Sequence, residues 1–504
     1  MFNSERLNSL GPDYHYVASM APIGDYGMSA LYKYEGDDPQ ILALCDSKGH
    51  VKVTLYALND YKPKLKAKIE EVITRAVENA KKLSLENNSS MTSVMPIKED
   101  GQPKKLSFEK GIDGKKVGHF YAIVSKPYVD YIHKKNGHDQ FIYERNIAEF
   151  LPKIMLKNKK RKNKLSAFSV YFAETLNQFA RGMMEGQNQL RQIGLLHGST
   201  RPENFVIADP IYDAAKKPTY FPVLITNYDN MVLLSGEKLK ENDPIIMDAP
   251  WYLNDSALKN NFITARTDSF AIRVAILCML GHALGASPSA VLRLGENFES
   301  SFEQVLAIRS EAPYTDDKEV LKRYLLNIQL LSQQCSDPFA KEAVDRFIDS
   351  FKDFLVELPD VGLTAQVICA QDNEAFFKAS AMLSIACQEK ELHDSSKSYG
   401  ALCDVLDANN PSEEAAQNYD KKKDTEKYVK MKAVHDEILT LRECVSNGNV
   451  SSYDEIEHRL KDKVMEAKAL TDKVKVASDS KIKKVSSVSL GFADYLVHHT
   501  MMQH

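Results

Sequence analysis

The sequence predicts an α+β protein, β-rich at its start and helical over most of its remaining length. Two observations carry this. Residues 14–58 hold four β-prone apolar runs, YHYVASM, SALYKY, QILALC and VKVTLYAL, separated by the turn-rich GDYG, EGDD and DSKG. From about residue 138 the apolar spacing changes to the three-and-four rhythm of helices, and after residue 340 that rhythm is almost unbroken.

The elements follow in order. A helix is expected from about Lys62 to Leu85, with Leu65, Ile69, Val72, Ile73, Val77 and Ala80 on one face. ENNSS (86–90) is a loop, and a second β segment covers KKLSFEKG and KVGHFYAIVSK, joined by IDG (112–114). Residues 138–156 make a further helix. The run KNKKRKNK (157–164) has six basic residues in eight, and reads as a solvated loop, with nuclear targeting or an anionic partner as the alternatives. A long proline-free helix spans about Ser166 to Gly194.

Near the C-terminus, Tyr428, Met431, Val434, Ile438 and Leu441 share one helical face. SNGN (446–449) interrupts, Ser452 and Glu455 form a capping box, and Ile456, Leu460, Val464, Ala467 and Leu470 continue on a second helix. This is an antiparallel hairpin over 424–478, expected to pack on the protein's own body, with a partner as the alternative. The resulting divisions are 1–165, β-rich with insertions; 166–340, helical; and 341–504, a helical extension.

At 504 residues the chain has room for about two to four domains. Hydrophobic residues at 43% and charged residues at 27% suit a globular protein with a large core. A formal net charge of −4 provides no global field for nucleic acid. The seven cysteines are scattered, odd in number and without a CxxC pair, against a disulfide framework or zinc site and for a reducing compartment. MFNSERLNSLGPD lacks the apolar core of a signal peptide, and AIRVAILCMLG (271–281) is too short to span a bilayer. The expectation is a cytoplasmic protein without a transmembrane segment. Export by a route that leaves no cleavable signal stays open.

The chemistry concentrates in GLLHGSTRPENFVI (194–207). A helix ends, a turn follows, and an apolar strand begins at Phe205. PVLITNYDNMVLL (222–234), DAPWYL (248–253) and TARTDSFAIRVAILCMLG (264–281) come next. This order resembles the C-terminal lobe of the protein-kinase superfamily. His197 matches the loop histidine, and Arg201, Pro202, Glu203 and Asn204 match the KPEN that follows. Asn227, Tyr228 and Asp229 stand at the DFG triplet. Asp268 heads the buried helix, where Arg273 replaces a glycine. HG for HR, and a carboxylate for the DFG glycine, look like atypical kinase-like effectors of intracellular bacteria. The resemblance implies a two-lobed protein-kinase-like fold, with a β-rich N-lobe, a helical C-lobe and a C-terminal all-helical extension. It implies ATP with magnesium as the ligand of the site, and for an effector, action in a host cytosol.

The departures matter more. A kinase loop needs a carboxylate to orient the substrate hydroxyl. Ser199 holds that position and is no base at neutral pH; losing a general base costs about 10²–10⁴-fold in rate. The metal aspartate is replaced by Asn227, a neutral ligand for a hard cation that prefers carboxylates. Asn204 remains as the second metal ligand. Asp229 is the nearby carboxylate, a metal ligand or the cap of the following turn; Asp209 and Glu203 are further candidates. His197 is expected to be a structural strut. Ser199 has no neighbouring histidine or lysine in sequence to make it a nucleophile.

Two registers compete for the nucleotide lobe. In the favoured one, Gly24 and Gly27 form the glycine-loop hairpin, ILALC is the lysine strand with Cys45 in place of lysine, and helix 62–85 supplies Glu70 or Glu71. In the other, YAIVSK is the lysine strand with Lys126, and FIYERNIAEFL is a helix whose Glu144 pairs with it. A glycine pair such as Gly24 and Gly27 more often makes a hairpin turn than a phosphate site.

The function expected is therefore a pseudokinase that binds a protein partner. The alternatives are an ATP-dependent transferase of another kind (AMP transfer or carboxylate activation), and an unorthodox active kinase.

Overall fold

The computed structural model describes residues 10–23, 27–57, 119–133, 140–158, 166–209, 222–239, 249–295, 301–395 and 425–448. Shorter pieces lie between 74 and 107, at 211–212, 218–220 and 298–299, and between 450 and 463.

The first third folds into an antiparallel sheet. Its strands are β1 (Tyr14–Ile23), β2 (Gly27–Tyr34), β3 (His50–Ala57), β4 (Val94–Pro96), β5 (Leu106–Ser107) and β6 (His119–Ser125), in the order β1-β2-β3-β6-β4, with β5 also on β6. The expected hairpin at the start is present, although its turn, including Gly24, falls outside the described residues.

The expected strand QILALC is corrected. Pro39–Leu42 is a short helix, α1, because the Asp38 side chain accepts the Gln40 N–H at 2.8 Å and Pro39 sits where a first-turn N–H needs no partner. Cys45 lies after α1, half-buried, its thiol on the Ile41 carbonyl. The third strand is β3 instead.

Strand alternation gives the sheet two faces. Ala30, Tyr32, Val51, Val53, Leu55, Ala122 and Val124 pack under Leu10, Tyr14, Ile41 and Leu44 in a small core. The opposite face carries Ser29, Leu31, Lys52, Thr54, Ile123 and Ser125, which the register sets side by side. Ile123 joins the main core, so this face turns toward the helical body. Helical residues at 74–75, 78–79 and 83 belong to the helix expected over 62–85, and Leu83 is buried in the same core.

Beyond β6 runs a hairpin, β7 (Val129–His133) and β8 (Gln140–Glu144), then α2 (Ile147–Asn158). This corrects the single helix expected at 138–156 and the placing of Glu144 on a helix. QFIYE is β-branched and aromatic, and Asn146 caps α2 by accepting the Glu149 N–H at 2.8 Å. α3 (Ser166–Gln192) follows, then two short antiparallel pairs: β9 (Leu195–Leu196) with β12 (Val232–Leu233), and β10 (Phe205–Ile207) with β11 (Val223–Ile225).

The centre of the helical body is α4 (Ala265–Ala283), buried along nearly its whole length and started by a capping box between Thr264 and Thr267. Around it pack α3, α5 (Asp317–Gln334), α6 (Pro338–Val356) and α7 (Ala365–Ser395). The division set at 340/341 falls inside α6, whose Ala343, Phe347, Phe351 and Leu355 share the core of α4. α8 (Thr425–Ser446) places Val434, Ile438, Leu441 and Val445 with Ile456 and Leu460 against Ala381 and Ile385 of α7, so the hairpin packs on the protein itself. Ser452 accepts the Glu455 N–H at 3.4 Å, one half of the expected box. The side chains of Tyr428 and Met431, and residues 464, 467 and 470, lie outside the described residues. Among the described residues no helix is long and apolar enough to cross a membrane.

Candidate functional site

The two short strand pairs bring residues 197–204 and 225–230 together. β9 delivers His197 into the interior, where it is fully buried. Its Nε2 lies 2.9 Å from the Thr226 carbonyl oxygen and donates to it, tying the loop to the end of β11. Burial pushes the imidazole down to about 4, so it is neutral. The contact places His197 as a tie between the loop and the end of β11.

Gly198 follows at φ +68°, and a Cβ there would stand 2.1 Å from the Asn230 carbonyl oxygen. The glycine of HG is therefore needed for a close backbone approach between the two loops.

Ser199 and the two asparagines form one hydrogen-bonded set. Asn204 Nδ2 donates to the Ser199 carbonyl at 2.6 Å and lies 3.2 Å from its hydroxyl. Asn227, in the left-handed region at φ +62°, donates its Nδ2 to Asn204 Oδ1 at 3.1 Å. The residues that the resemblance makes metal ligands are thus bonded to each other. As set, they do not fit magnesium: both side chains are neutral, and the Asn204 oxygen already accepts an N–H. Asp229 lies in the short 3-10 turn Tyr228–Asn230; its side chain is outside the described residues. Among the described residues, no group of three or more His, Cys, Asp or Glu is placed to hold a metal ion.

Beneath the loop is a buried charge network. Thr200 donates to Asp268 Oδ1 at 3.1 Å and accepts from Gln187 Nε2 at 2.8 Å. Arg191 on α3 lies 3.6 Å from Asp268 and 3.5 Å from Asp372 of α7. Arg273 meets Asp372 at 3.0 Å, donates its Nε to the Phe354 and Glu357 carbonyls at 2.8 Å each, and stacks 4.2 Å over the Phe354 ring. Burial raises Asp268 above the usual carboxylate range, against the pull of Arg191. Arg273 thus anchors α6 and α7 to α4.

The remaining candidates are dispersed. Asp209 is exposed and bound by Arg145 at 2.9 Å. Glu203 is half-buried, and its charge falls on Tyr252 and His282. Gly27 opens β2 opposite Tyr56. Residues 70 and 71 are outside the described residues. Lys126 follows β6, and Glu144 pairs with Lys52 of β3 at 2.5 Å instead. Asn79 reaches the loop from the helical residues at 78–79, donating to the Tyr228 carbonyl at 3.0 Å.

Sequence reading missed Lys52, Thr200, Arg191 and Asp372. Alternation along HVKVTLYA could have found Lys52, since His50, Lys52 and Thr54 interrupt the apolar positions. Nothing local marks Asp372. The chain matches no protein-family model and no curated protein.

Proposed function

We propose that this chain is a pseudokinase: a two-lobed, kinase-like module, silent in phosphoryl transfer, that acts by binding a protein partner. The observation that carries this reading is the Asn227–Asn204–Ser199 set. Where a kinase of the resembled type needs two metal ligands and a hydroxyl-orienting carboxylate, three neutral side chains satisfy one another. The path from α3 through β9 to the loop, the strand pair ahead of Asn227, and the Thr200–Asp268 contact with the buried helix support the kinase-like reading.

The test is a thermal melt of the full chain with millimolar ATP, with and without magnesium, followed by incubation with labelled ATP. Ligand that binds only the native state must raise the melting temperature. The expected result is no magnesium-dependent shift and no transferred label. A magnesium-dependent shift lost in Asp229→Ala, with transfer of phosphate or AMP, would return the site to the enzymes.

A further inference from the structure

The ion pair between Lys52 and Glu144 joins elements 92 positions apart in the chain, β3 of the sheet and the end of β8. Lys52 stands on the face of the sheet turned toward the helical body, between Leu31 and Ser125 in the register. Glu144 ends β8, and the two residues after it are fixed to the loop-bearing side. Arg145 binds Asp130 and Asp209, each at 2.9 Å, and its carbonyl accepts the Ile207 N–H at 2.7 Å. Asn146 bridges to Val206 of β10 and caps α2. The carboxylate is therefore presented from a held tripeptide, not from a free loop.

We infer that Lys52 and Glu144 form a latch that closes the sheet onto the loop-bearing body in the absence of any ligand. The inference deepens the pseudokinase reading and rests on its two-lobed division of the chain. The two side chains retain only 13% and 15% exposure, so parting them leaves a largely buried charge without its counter-ion. A second tie, Asn79 to the Tyr228 carbonyl, acts between the same two halves from the helix at 78–79.

Amide hydrogen exchange on the ligand-free full chain tests this in Lys52→Met, Glu144→Gln and the charge-swapped Lys52→Glu/Glu144→Lys. Each single variant should speed exchange in His50–Ala57 and Gln140–Glu144 by about ten- to hundredfold, and the swap should recover most of the protection. Unchanged exchange in the singles, or a swap as open as the singles, overturns the latch. If a single variant does not fold, the swap decides: a folded, protected swap supports the latch, and an unfolded one overturns it. The pseudokinase reading fails in a different measurement, the magnesium-ATP melt of the unmodified chain.

Discussion

Asn227 donates its side-chain amide to the side-chain oxygen of Asn204 at 3.1 Å, and Asn204 in turn holds Ser199. The set satisfies itself as neutral groups, so changing one member's charge should change what the site tolerates. Asn227→Asp removes the donor and sets two acceptor oxygens facing each other. The expected cost is about 1–3 kcal/mol without metal. Millimolar magnesium should restore part of it, because facing oxygens with a net charge are what that cation binds. Thermal melts with and without magnesium check this; the unmodified chain should show no such response.

The approach of Gly198 to Asn230 gives a sharper steric prediction. A methyl group at 198 would stand 2.1 Å from a backbone oxygen, on a residue already at φ +68°. Neither loop can yield by rotating a side chain. Gly198→Ala should lose more than about 2 kcal/mol in urea unfolding, combining the left-handed backbone penalty with the displaced Asn230 peptide. A loss below about 0.5 kcal/mol would mean that the two loops separate freely.

Arg273 and Asp372 should behave as one unit. Each is buried, and they meet at 3.0 Å. Arg273→Met leaves Asp372 with Arg191 and Ser269 but without its shortest ionic partner. Asp372→Leu leaves Arg191 with Asp268 and takes from Arg273 its ionic contact at 3.0 Å, only carbonyl and hydroxyl acceptors remaining. Either single change should cost about 3–5 kcal/mol. The double change should cost less than the sum, with a coupling of about 1–3 kcal/mol in a double-mutant cycle. Additive losses would assign Arg273 to its Phe354 and Glu357 carbonyl contacts alone.

What the sequence reveals and hides divides along physical lines. His197, Asp268 and the strand pair ahead of Asn227 are legible because each stands in a local pattern of helix end, turn and apolar run. The QILALC error is also local: a run of apolar residues suits strand or helix, and Asp38 with Pro39 decides for helix by capping. The FIYERNIAEFL error has the same source, since Asn146 cuts the run into strand and helix. The Arg273–Asp372 and Lys52–Glu144 pairs are of another kind. Their partners lie 99 and 92 positions apart, and only the packed fold brings them together. The resemblance marked Arg273 as a departure, but not as the anchor of α6 and α7.

The buried imidazole of His197 sets a pH window for stability. Its pKa falls from 6.5 to about 4 in the folded chain, chiefly because burial penalises the charged form. The folded state therefore favours the neutral ring, and the unfolded state binds the proton first as pH drops. The contribution of His197 is fully present above about 6.5, declines as pH falls through the window, and is gone below about 4. The full span is worth about 3 kcal/mol. His197→Gln keeps a donor for the Thr226 carbonyl but cannot titrate. Urea unfolding from pH 4 to 7 should show a steep loss of stability toward acid in the unmodified chain and a flatter profile in the variant. Parallel profiles would show that His197 takes up its proton over the same pH range in both states, and that other groups drive the acid response.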